Sequence, residues 1–283
     1  MSEAWLIWWS LLCAATMINV VAWCCSAWVL RHPGTHLAAD VHTTRRQLLW
    51  LSAIYVAGCG FRSVAPMVDV PRICLHDTWI SRIVVGRLVA TGAELCLAAQ
   101  WALLLREGGA AARGGLAARV ARLVLPIIVA AELCSWLAVL TTNYLLHAVE
   151  NSFWTLAAVL VVAGLVSIWP QADDRSRRFL AAAIAGGAGY IAFMTFVDVP
   201  MYVSRWHADV AAGHQYLSWR DGLQDVLERC IVTRDWAVWR PDVAWLSLYF
   251  TVAVWASIAL AHAPPLRGRG RPGPRVVESL AAD

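Results

Sequence analysis

The chain has 283 residues, of which 60% are apolar and only 15% charged, with a formal net charge of +4. Soluble domains average roughly 45–50% apolar and about 25% charged residues, and one water-soluble core of this length cannot hide the excess. Composition therefore excludes a cytosolic enzyme, a disordered chain and a disulfide-stapled secreted module, and it indicates an integral membrane protein.

A helical span needs roughly 20 mostly apolar residues to cross a hydrocarbon layer of about 30 Å. Seven stretches meet or approach that length: 4–30, 48–62, 79–105, 123–142, 153–169, 179–199 and 243–262. The second is the shortest. All read as helices, because lipid leaves no partner for irregular backbone, and no stretch alternates as a barrel strand does. The first run carries Glu3 and no basic residue before it, and it exceeds the length of a signal-peptide core, so it is expected to stay as a span. The fold class is all-α, a seven-helix bundle forming one domain over 1–263.

Between the spans, 106–122 combines Gly108, Gly109, Gly114 and Gly115 with four arginines and predicts a flexible basic loop. Gly186, Gly187 and Gly189 fall inside the sixth span, where small residues permit close helix contact. Ser218-Trp219-Arg220-Asp221 resembles a capping box, and Leu223, Val226, Leu227, Cys230 and Ile231 follow at helical spacing. This predicts an amphipathic helix over about 219–232, lying on the membrane surface or sealing the bundle. From Pro264 to 283 the chain is rich in proline, glycine and arginine, and a disordered basic tail is expected that meets lipid headgroups, not nucleic acid.

Every basic residue is arginine. With the abundant alanine and glycine, this suggests a bacterial, GC-rich source and an inner-membrane location. Connections one, three and five and the tail hold 14 of the 23 arginines, which by the positive-inside rule puts the N-terminus outside and the C-terminus in the cytoplasm. Trp5, Trp8, Trp9, Trp79, Trp154 and Trp245 would mark the outer interface, and Trp28, Trp50 and Trp169 the inner one.

Ionisable residues inside spans are costly and usually face the bundle or water. Arg87, Thr91 and Glu94 fall on one face of the third span. Glu132 lies at a similar depth on the antiparallel fourth, whose face continues through Ser135, Asn143 and, if the helix persists, Glu150. Glu94 and Glu132 are the candidate general acid and base, Arg87 an anchor for an anionic group, and Thr91 their companion; a buried ion pair that only fixes helix register is the plain alternative. A second polar group at the outer edge contains Arg62, His76, Asp77, His147, Glu150, Asn151, Asp198, Arg205 and His207. Within it, His147, Glu150 and Asp198 are candidate ligands for a divalent metal, since helical sites use His and Glu three apart. Haem between His147 and His76 has weaker support. Of eight cysteines, Cys74 and Cys230 alone fall in outward connections and form a candidate disulfide.

These features fit a membrane-embedded enzyme that acts on a lipid or other amphipathic substrate through a polar seam open to the outer face. A proton-coupled small-molecule carrier using the same acids, and an accessory subunit docking a membrane partner, are the alternatives.

Overall fold

In the computed structural model the described residues are 3–31, 39–111 and 115–266. The protein is all-α, with helices α1 (Ala4–Arg31), α2 (Ala39–Val64), α3 (Ile83–Ala111), α4 (Leu116–Thr141), α5 (Tyr144–Ile168), α6 (Asp174–Phe193), α7 (Val199–Ala211), α8 (Trp219–Glu228), α9 (Trp236–Phe250) and α10 (Val252–Leu260). α6 continues through a widened π turn, Met194–Asp198, into α7, so that one rod runs from Asp174 to Ala211. Pro200 lies just beyond that turn; it has no N–H to donate and crowds the carbonyl four residues back. Six rods are long and apolar enough to cross a bilayer: α1, α3, α4, α5, α6–α7 and α9–α10. α2 matches them in length, but Thr43, Thr44, Arg45, Arg46 and Gln47 crowd its first half.

The helices extend beyond the apolar runs from which they were predicted. Backbone hydrogen bonding continues through arginines and glycines that a hydropathy reading trims away. Most of the expected third loop is helical: Arg106–Ala111 completes α3 and Leu116–Arg122 opens α4, while 112–114 lie outside the described residues. The glycines there serve approach, since a Cβ on Gly109 would strike the backbone of Ala118 and one on Gly108 would strike Ile168. α4 ends at Thr142 in the left-handed conformation, φ 60°, and Asn143 caps α5 by accepting from the Leu145 amide at 2.9 Å. That break places Glu150 on α5 and not on a prolonged fourth helix.

Neighbouring rods α1 to α6 pack in chain order, and α9–α10 returns against α1, α2 and α3. Gln100, fully buried on α3, donates to the Leu48 and Ser257 carbonyls and accepts from the Ser257 hydroxyl, tying three rods together. Asn19 donates to the carbonyl of Phe250, where α9 breaks into α10. Trp8 is buried against Trp236 and Trp239.

A small cap closes the end of the bundle where α3 begins and α4 stops. Strands β1 (Met67–Val68) and β2 (Ile73–Cys74) pair antiparallel, and β3 (Ile231–Val232) adds parallel to β2. The amphipathic helix predicted over 219–232 therefore stops at Glu228, because Arg229 turns extended and the next residues join the sheet. Ser218 caps α8 as the sequence suggests, accepting from the Asp221 amide. Gly222 seats α8 on the end of α4: any Cβ would collide with the Leu140 carbonyl. Arg72, 1% exposed, pairs with Asp225 of α8 and donates to the Val139 carbonyl, and a disulfide joins Cys74 to Cys230.

At the opposite end the segment after α10 packs on the bundle. Arg45 donates to the Ala263 and Pro264 carbonyls, and Glu107 accepts from the Leu266 amide. Residues 264–266 thus belong to the folded body, unlike the disordered tail expected from Pro264 onward; 267–283 lie outside the described residues.

Candidate functional site

The predicted stripe on α3 turns inward and meets α4. Arg87 Nη2 lies 2.9 Å from a Glu94 carboxylate oxygen and 2.6 Å from one of Glu132. Thr91 donates to the same Glu132 oxygen at 2.6 Å and accepts from the Trp136 indole at 3.1 Å. Tyr249 of α9 donates to the other oxygen of Glu94 at 2.9 Å. Two more acids approach the free side of the guanidinium: Asp69, from the cap hairpin, is 3.6 Å from Nη1, and Glu150 is 3.9 Å away. Arg87, Glu94, Glu132, Glu150 and Asp69 are all buried, at 4–7% exposed.

The outer polar group joins this cluster. His147 meets Glu150 at 2.7 Å, one helical turn apart on α5. Asn151 donates to Asp198 on the π turn at 2.5 Å. Arg205 of α7 pairs with Asp242 of α9 at 3.1 Å and lies over the rings of Tyr144 and Tyr202. Of the candidate metal ligands, His147 and Glu150 are in contact, whereas Asp198 is held by Asn151. One oxygen each from Glu94, Glu132 and Glu150 does come within 4.8 Å of the others. Carboxylates suit a hard cation, yet Arg87 already stands among them and supplies a positive charge. His76 packs edge-on against Trp9.

Among the described residues, four acids surround Arg87, with Arg62 3.7 Å from Asp69 and His147 2.7 Å from Glu150, so carboxylates outnumber the two arginines. In a low-dielectric interior such an excess is neutralised by protons or by a bound cation. Arg87, expected as an anchor for an anionic group, already has Glu94 and Glu132 on Nη2. Its Nε has no hydrogen-bond partner, and neither does Oε1 of Glu132.

Two cavities meet at the cluster. A small polar one, about 50 Å³, lies beneath the cap between Asp69, Arg62, Arg87, His147 and Tyr202. A large apolar one, about 700 Å³, lies between α5, α6 and α9–α10 and reaches Trp101 and Ile128. Glu94, Glu150, Asn151 and Trp245 line both. The large cavity follows from how the rods associate: α6 packs on α5, and α9–α10 on the first three helices. Arg205–Asp242 bridges the gap at one end, and Ser176 donating to the Pro265 carbonyl bridges it at the other. The glycines of α6 widen it. Gly187 touches Val162, but a Cβ on Gly186 or Gly189 would meet nothing within 4 Å, which reverses the close-packing role read from the sequence for those two. Trp154 and Trp245, expected at the outer interface, form cavity wall.

Asp69 and Tyr249 went unrecognised in the sequence. Asp69 is a lone acid in a loop and Tyr249 one aromatic among many in an apolar span, and neither carries a local signal. Glu107 reads as an ordinary loop acid and is the partner of Arg45. No protein-family profile, characterised protein or solved structure matches the chain.

Proposed function

We propose that this protein is a membrane-embedded enzyme that draws an amphipathic substrate sideways from the lipid into the gap between α6 and α9–α10. The observation that carries the reading is the continuity of a 700 Å³ apolar cavity with a buried Arg87–Glu94–Glu132–Glu150 cluster. The apolar body of the substrate lies along α5 and α6, and its polar end reaches Glu94 and Glu150. Those carboxylates exchange protons with the substrate as general acid and base. Arg87 orients both and Tyr249 orients Glu94, while Thr91 holds Glu132 beside them; the small polar cavity under the cap relays protons toward the outer face. An apolar cavity gives a polar solute no path, which favours this reading over a carrier.

In the same proposal α2 is a seventh span, the N-terminus and the cap lie outside, and the C-terminus faces the cytoplasm of a bacterial cell. Several arginines that weaken the charge bias are engaged within the fold: Arg72 and Arg229 with Asp225, Arg82 with the Glu228 carbonyl, and Arg205 of α7 with Asp242. An oxidising exterior suits the disulfide in the cap.

The test is to incubate the purified protein with a bacterial lipid extract and compare lipid masses before and after. Wild type is expected to convert one lipid class, whereas Glu94→Gln, with an unchanged melting temperature, converts none. Unchanged lipid masses with wild type would remove the enzymatic reading.

A further inference from the structure

The large cavity also restricts the polar end of whatever enters it. Its charged lining residues, Glu94 and Glu150, are both acids, and no arginine or histidine lines it. Two donors beside those acids are already committed: Tyr249 donates to Glu94, and the Asn151 amide nitrogen to Asp198. The Tyr190 hydroxyl and the Trp101, Trp154 and Trp245 side chains complete the wall. Beside Glu94 and Glu150 the wall therefore offers acceptors and negative charge.

Size restricts the ligand further. The cavity follows α6 from Phe179 to Phe193, a rise of about 21 Å at about 1.5 Å per residue. That is more than half of a hydrocarbon layer of about 30 Å and gives room for one long acyl chain. The adjoining polar space of about 50 Å³ has no room for a sugar or a phosphocholine head.

We propose that the occupant is a single-chain lipid whose polar end is one small hydrogen-bond donor, a hydroxyl or a protonated amine, held by Glu94 and Glu150. A fatty acid or a lipid phosphate is refused, because its charge would be buried beside Glu94 and Glu150, whose shared Arg87 is already engaged by carboxylates. This rests on the sideways approach proposed above and names the substrate class for that same site.

The experiment presents the full chain in detergent with hexadecylamine, hexadecanol, palmitate and hexadecyl phosphate, and counts adducts retained in native mass spectrometry. The amine and the alcohol are expected to be retained as single adducts, at least about ten-fold more than the acid or the phosphate. Preference for the amine would identify charge as the selector, and equal retention would identify hydrogen bonding. Gly186→Phe, at a position where a Cβ meets nothing, is expected to keep the melting temperature and abolish retention. Retention of palmitate or the phosphate at the level of the alcohol, lost in Gly186→Phe, overturns the donor rule and leaves the sideways approach standing. Retention that ignores Gly186→Phe, or no retention of any of the four, overturns the inference itself. Lipid conversion in the extract then decides separately whether the site is catalytic.

Discussion

Two arginines buried in the same bundle have opposite surroundings. Arg45 sits at the end where the chain leaves α10, and its guanidinium is fully occupied. Nη1 and Nη2 bind Glu107 in a fork at 2.7 and 3.0 Å, and Nε and Nη2 take the Ala263 and Pro264 carbonyls. One charge meets one charge, and neither of the two cavities at the Arg87 cluster is lined by the pair. Arg87 sits beneath the cap, shares one nitrogen between two carboxylates, leaves Nε without a partner, and has two further acids within 4 Å. A balanced, hydrogen-bonded pair is what structure alone requires. An unbalanced cluster at the junction of two cavities raises the energy of the folded state, and such costs persist where function uses them.

The contrast can be broken experimentally. The largest expected effect is at Arg45: replacing it by Met leaves Glu107 buried and unpaired, at a cost of about 3–5 kcal/mol. A denaturant midpoint should fall accordingly, and adding Glu107→Leu should recover most of the loss. Failure of the double variant to recover would show that the backbone carbonyls, not the acid, are what Arg45 serves. Next comes the cap. Removing the Cys74–Cys230 bridge, which spans 156 positions of sequence, should cost about 2–4 kcal/mol. Proteolysis should then cut first in the cap, because α8 would be held to the bundle mainly by Arg72 and Gly222.

The smallest effect is also the sharpest comparison. Glu107→Gln weakens a charge-assisted fork and should destabilise by about 1.5–3 kcal/mol. Glu132→Gln relieves crowding among like charges and should change stability by less than about 1 kcal/mol, or raise it. Paired melting curves of the two variants test this directly. Equal destabilisation would mean that the Arg87 cluster is a structural lock like the other.

How far these regions could be read from sequence follows the range of their contacts. The Arg87–Thr91–Glu94 stripe obeys helical periodicity within one segment, and the depth of Glu132 follows from counting along an antiparallel neighbour. His147 and Glu150 are also local, three positions apart. Asp69 comes from the cap, Tyr249 from α9 and Glu107 from what reads as a loop, and only folding brings Asp69 to Arg87, Tyr249 to Glu94 and Glu107 to Arg45. Gly186 and Gly187 show the same limit. Adjacent in sequence and alike in composition, one faces Val162 and the other an open cavity, because successive residues on a helix point about 100° apart.

Sequence alone determined that this chain is helical and bound for a bilayer, since excess apolar surface and unsatisfied backbone groups leave no other solution. It also supplied the intramembrane charges, whose cost marks them in any membrane protein. Tertiary structure decided which charges are balanced and where space remains. Both depend on how rods far apart in the chain come together: α6 leans on α5, α9–α10 leans on the first three helices, and the gap between them is the cavity.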